Sequence, residues 1–220
     1  VTRRSLWLFC LVVAGGRVAV AQDSLSLANI DRETAALLTR IVDSARARGL
    51  PTEPIVAKIS LGTLRHIPSE RIIVAAQSLA ARLEDARVAL APKPTATDIA
   101  AGGDALSVTG VTKAALQAVR STSPNRPVAV PISVLAQLVA SGVPTKRATE
   151  IVTELIKRGA SNAQLVALGN DVNSDVGHGA RAIASLDVRL QGLTAVLAPI
   201  GSSAVAADGP TVASPIPKKP

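Results

Sequence analysis

Apolar residues recur at helical spacing in four stretches of the chain. Leu37, Leu38, Ile41 and Ala45 fall on or near one stripe within 31–48, and Ile72, Ala76, Leu79, Leu83 and Leu90 within 69–91. Ala148, Ile151, Val152, Leu155 and Ile156 repeat the pattern within 145–158, as do Ile183, Leu186, Leu190, Leu193 and Leu197 within 180–198. Spacings of three and four residues stack side chains on one face of a 3.6-residue turn, so each stretch predicts an amphipathic helix. Strand signals are thin, because β-branched runs are short and Ala dominates between them. The fold class that follows is all-α.

A recurring boundary separates the helical stretches. Gly49-Leu50-Pro51-Thr52, Gly142-Val143-Pro144-Thr145 and Gly159-Ala160-Ser161-Asn162 share one logic; Ile67-Pro68-Ser69 lacks the glycine, and Gly110-Val111-Thr112 is shorter. Glycine takes the left-handed conformation just past a helix end, and proline blocks continuation. The apolar residue packs back on the turn, and Ser, Thr or Asn is expected to cap the next helix. Ser161 and Gln164 have capping-box spacing. Pro51 to Pro68 and Gly142 to Gly159 are each 17 residues apart, which suits one short helix plus a tight turn. Two such units form a helical hairpin of repeat-like size, but the register breaks over 92–131.

These signals divide the chain into a signal peptide at 1–21, a helical module at 22–91, a linker at 92–131, a second helical module at 132–198 and a disordered tail at 199–220. The linker assignment rests on Pro92-Lys93-Pro94-Thr95 through Gly102-Gly103 and on Ser121 through Pro127, with a short helix expected at 112–120 between them. The tail is Ala, Gly, Ser and Pro, which buries too little apolar surface to offset its ordering entropy.

The first 21 residues have the build of an export signal. Arg3 and Arg4 precede an apolar run from Leu6 to Ala14, and Ala19-Val20-Ala21 offers a cleavage site that leaves Gln22 first. The run is far below the ~20 residues a membrane span needs, so no transmembrane segment is expected after the signal is removed. Trp7-Leu8-Phe9 before Cys10 is unlike a lipobox, so no lipid anchor is expected. The paired arginines also faintly resemble a twin-arginine signal, which leaves the export route open. Valine at position 1 and the absence of Met fit a GTG start codon and a bacterial gene. The expected location is the periplasm or the cell exterior.

Setting aside 1–21 changes the chemistry available. Trp7, Phe9 and Cys10 are the only Trp, Phe and Cys, and Tyr is absent. The remainder therefore has no disulfide, no thiol nucleophile, no Cys-based zinc site and no aromatic platform for bases. Net charge falls from +8 to +5, because Arg3, Arg4 and Arg17 leave and no acid does. The remaining cations are scattered in pairs such as Arg46 and Arg48 or Lys157 and Arg158, the pattern of solvated helix faces.

Candidate catalytic groups are few. His66 lies in a turn beside Arg65, and His178 lies between Gly177 and Gly179, where Asp171 and Asp175 are the carboxylates that a metal pair would need. Gly177-His178-Gly179 lacks the strand and lysine of a phosphate loop, and Glu84-Asp85 are adjacent on a helix and point apart. No G-x-S-x-G turn is present. No catalytic residue, metal site or cofactor is expected.

Leu138 to Ile151 resembles the helix-hairpin-helix DNA-binding motif, whose core is G-I-G-x-x-x-A-x-x-I. Gly142, Val143, Ala148 and Ile151 match that core, while Pro144 replaces the second glycine and removes an N–H donor. The resemblance implies phosphate held by backbone N–H groups with Lys146 or Arg147 nearby. Two functional expectations result. The first is a non-catalytic, exported helical module of the cell envelope that binds a protein partner or itself. The alternative is DNA binding through the turn at 142–147.

Overall fold

The computed structural model describes residues 31–197, and these form nine helices and no strand. They are α1 (Arg32–Ala47), α2 (Glu53–Leu64), α3 (Ser69–Ala89), α4 (Ala96–Ala105), α5 (Lys113–Thr122), α6 (Ala129–Ala140), α7 (Thr145–Lys157), α8 (Asn162–Gly177) and α9 (Ala182–Val196). The expected signal peptide at 1–21 and tail at 199–220 lie outside the described residues. The all-α expectation holds for the described residues.

Local chemistry starts and stops the helices. The Asp31 carboxylate accepts from Thr34 N (2.8 Å) at the start of α1, and Ser161 and Gln164 form the anticipated capping box on α8. Thr112 caps α5 by accepting from Ala115 N (3.3 Å). The capping expectation fails at three other turns. Thr52 caps no N–H with its side chain, and Ser69 and Thr145 are already inside their helices, behind Pro68 and Pro144 as the N-cap residues. A proline at that position has its φ fixed by the ring, here with an extended ψ (139° at Pro68, 134° at Pro144), and offers no side-chain oxygen.

Five helix ends share one hydrogen-bond pattern. At Gly142, φ is +98°; its N–H donates to Val139 O (2.9 Å) and the N–H of Val143 reaches back to Leu138 O (3.0 Å). This double bond satisfies two of the orphan carbonyls at a helix end, and the left-handed residue it requires has no steric penalty when it is glycine. Gly49, Gly159 and Gly179 close the same pattern, and His66 does so with a side chain at φ +52°.

Residues 92–131 depart from the linker expectation. The short helix expected at 112–120 is present as α5, but α4 precedes it, and both pack on α3, with α4 also packing on α6 and α5 on α7. Ile99, Leu116 and Val119 are buried in the core. The glycines taken for loop punctuation sit inside α4, where a Cβ at Gly102 would lie 2.8 Å from Ala86 Cβ and one at Gly103 2.7 Å from Leu83 Cδ2. They are small because α4 approaches α3 closely. Polar groups hold the flanking loops. Asp98 is fully buried and accepts from Thr95 N (3.2 Å) and Val128 N (2.8 Å), joining the starts of α4 and α6. Buried Arg120 donates to Lys93 O (3.2 Å) and Arg126 O (3.0 Å), pinning the loop on each side.

The packing alternates along the chain. α4, α6 and α8 lie side by side in one row, and α5 and α7 pair in a second, with α9 against α8. The 21-residue α3 is the spine at the other end, contacting α1, α2, α4 and α5. Two apolar clusters result. One joins α1, α2 and the first part of α3 around Leu38, Ile59 and Leu83; the other runs from Leu90 through Leu135 and Leu155 to Leu186.

Candidate functional site

The residues singled out in the sequence are scattered, and their own neighbours occupy them. His66 is an exposed turn residue after α2. His178 ends α8, with Nδ1 2.7 Å from the Ser174 carbonyl, to which a protonated Nδ1 donates. Asp175 turns instead to α9: Arg189 donates to both its oxygens (2.8 and 3.0 Å) and Ser185 Oγ donates to Oδ2 (2.6 Å). Arg189 also reaches Asp171 (3.4 Å). The Arg189 guanidinium, helped by the Ser185 hydroxyl, holds the Asp175 carboxyl down at about 2. Both acids near His178 thus clasp α8 to α9. Among the described residues, no three His, Cys, Asp or Glu are grouped to hold a metal ion.

Glu84 and Asp85 point to different cations. Arg87 grips Glu84, and its guanidinium lowers the Glu84 carboxyl below the usual range; Lys113 Nζ lies 3.1 Å from Asp85. Neither carboxylate is placed to assist the other.

The turn that resembles a helix-hairpin-helix has part of that geometry. Val143, Ala148 and Ile151 are buried, and Lys146 and Arg147 are exposed. Its backbone is committed elsewhere, since the N–H groups of Gly142 and Val143 close the end of α6 and Pro144 has none. Arg147 pairs with Asp187 on α9 (3.1 Å).

Clefts open between several of the helices. The one between α7 and α9, about 400 Å³, mixes charges that neutralise each other, with Arg158 on Glu154 (2.8 Å) and Arg147 beside it. The one between α8 and α9, about 520 Å³, holds the Asp171–Arg189–Asp175 clasp.

Another cleft differs. A groove of about 350 Å³ between α1 and α3 has Leu37, Ile41, Ala80 and Ala81 for its apolar walls and Arg40 and Arg48 for its charges, with no carboxylate in its lining. Helical spacing explains this, because positions 37, 41, 44 and 48 form one stripe along α1 and 77, 80 and 81 face it from α3. Of the apolar stripe on α1, Leu38 is buried while Leu37 is 38 % exposed. Arg40 has no ion pair among the described residues, and Arg48 donates only to the Ser44 carbonyl (3.2 Å). The positive charge of Arg48 does reach Glu84, but Arg87 occupies that carboxylate. The sequence held the signal for this site in two arginines spaced along one helix face, hidden until the face of α3 opposite was known. Compared with known protein families, curated proteins and solved structures, the chain matches none.

Proposed function

We propose that the chain is a non-catalytic helical interaction module of the bacterial envelope or exterior, and that it engages a protein partner through the α1/α3 groove. One observation carries the reading: an open apolar groove whose two charged side chains are both cations without a carboxylate in the lining. Apolar floor with a polar rim is the common build of a protein-binding surface. Two further features support it. Short helices packed in alternating rows, with one turn pattern recurring at five helix ends, are compatible with a repeat-like scaffold. The export-like pattern at 1–21 supports a location outside the cytoplasm.

The test is site-specific photo-crosslinking in producing cells, with the reactive group at exposed Ser44 in the groove and at exposed Lys58 on α2 as the control. The expected result is a discrete protein adduct from position 44 alone, on a product that begins at Gln22. Adducts from neither position, or a product that keeps residues 1–21 in the cytoplasm, would overturn the proposal.

A further inference from the structure

The chemistry of the groove narrows the partner, resting on the reading just proposed. We infer that its occupant is an amphipathic helical segment of another protein, carrying an apolar pair one turn apart and two carboxylates about two turns apart.

The argument begins with length. The α1 wall runs from Leu37 to Arg48, which at 1.5 Å per residue is roughly 16 Å, or three turns of a docked helix. The opposite wall is low. Beside Gln77 it presents the small side chains of Ala80 and Ala81, and small residues let a packed helix approach closely. Leu37 and Ile41 are one turn apart and partly exposed, which matches anchors at i and i+4 on the partner.

Charge then selects the ligand. Arg40 and Arg48 are eight residues apart on α1, so their bases are separated by roughly 12 Å along the axis. That span matches side chains seven or eight residues apart on a helix laid along the groove. A guanidinium takes a carboxylate through two parallel N–H donors, and both arginines are exposed with donors to spare. A basic segment would meet two cations in a lining that has no acid. Val74, 63 % exposed and one turn before Gln77 on α3, extends the apolar surface beyond the groove's end.

The experiment uses the full mature chain and a fluorescein-labelled helical peptide with two leucines one turn apart and two glutamates two turns apart. Anisotropy should show saturable binding that weakens several-fold as salt rises. Arg40→Glu with Arg48→Glu should weaken it by at least about tenfold, since reversing a charge adds repulsion to the lost attraction. A peptide with lysines in place of the glutamates should then recover binding to that double variant and not to the wild type. This swap guards against a misfolded variant, and both arginines are exposed.

Equal binding by a glutamine-bearing peptide, or binding indifferent to the double variant, overturns the acidic partner. So does a concentration-dependent dimer of the chain that Arg48→Glu dissociates, which would make the occupant a second copy. Arginine-dependent binding to phosphatidylglycerol vesicles without peptide binding would assign the groove to a membrane surface instead. A crosslinked partner at Ser44 together with a failed charge swap would leave the proposed function standing and remove only this inference.

Discussion

Thr145 Oγ1 donates a hydrogen bond to the carbonyl oxygen of Gly110, 2.8 Å away, tying the turn before α5 to the first residue of α7. The two turns are 35 residues apart in sequence, and α5 and α7 lie against each other. The hydroxyl therefore joins neighbouring turns and does not cap its own helix. Thr145→Val should cost about 1 kcal/mol, and Thr145→Ser should restore most of it. Gly110→Ala should cost more. Its φ is +98°, where a side chain costs about 1–2 kcal/mol, and the added Cβ would sit 3.2 Å from Thr145 Oγ1. Urea unfolding followed by circular dichroism separates these outcomes.

Asp98 is the buried polar group on which the middle of the fold depends. Asp98→Ala leaves the N–H groups of Thr95 and Val128 without their partner and forfeits half of a capping box. The expected cost is about 2–4 kcal/mol. Asp98→Asn keeps one acceptor oxygen for two donors and should fall between Ala and wild type. A loss below about 0.5 kcal/mol for Ala would mean that this segment is as loosely held as its composition suggested.

That segment also shows where sequence reasoning stops. The stripes that define α1, α3 and α7 were legible because packing on one side leaves a period of 3.6, whereas of the stripe expected on α9 Leu186 alone is buried and Ile183 is exposed. For α4 the same reasoning fails. Gly102 and Gly103 are small to let α3 approach, and a close tertiary approach has the same sequence signature as a flexible loop. Asp98 and Arg120 were invisible for a related reason. A lone charged residue marks surface in a composition argument, and only the fold reveals the backbone groups that each one satisfies. The groove arginines were visible as residues, but not as a site. Nothing in α1 alone says that Ala80 and Ala81 would stand opposite.

The α8–α9 clasp carries a pH dependence of definite sign. Asp175 has its carboxyl lowered from an ordinary 3.8 to about 2, chiefly by Arg189 and then by Ser185. A folded-state value below the unfolded one means that the charged form is favoured by folding. Its stabilisation is full above about pH 4 and is lost as pH falls toward 2. Asp31 and Glu84 are lowered too, by the Thr34 N–H and by Arg87 respectively, and act in the same direction. Asp175→Asn should therefore lower Tm at pH 7, and the gap between variant and wild type should close near pH 2. A gap that widens on acidification would contradict the assignment.

His66 offers a test of turn against ligand. It holds φ +52° with a side chain, in the position that glycine takes at Gly49, Gly142, Gly159 and Gly179. His66→Gly should relieve about 1 kcal/mol of backbone strain and return part of it as unfolded-state entropy, for a net gain near 0.5 kcal/mol. The expected outcome is a higher urea midpoint with an unchanged slope. A destabilised variant would show that the imidazole makes a contribution that its exposed position does not reveal.

The remaining alternative, DNA binding through 142–147, makes a different quantitative demand. A turn that holds phosphate with Lys146 and Arg147 releases counterions, so log affinity should fall with log salt, and alanine at both positions should reduce that slope by roughly two. The structure argues for a smaller change. Arg147 is paired to Asp187, the N–H groups of Gly142 and Val143 are spent on the end of α6, and Pro144 has no N–H to offer. What stays free to meet a phosphate is the exposed Lys146 side chain and the start of α7. The expected result with duplex DNA is weak binding of the kind any basic protein shows, with a slope changed by less than one in the double variant. Affinity in the nanomolar range near physiological salt, lost in Lys146→Ala with Arg147→Ala while the α1/α3 double variant retains it, would move the functional site from the first helices to this turn.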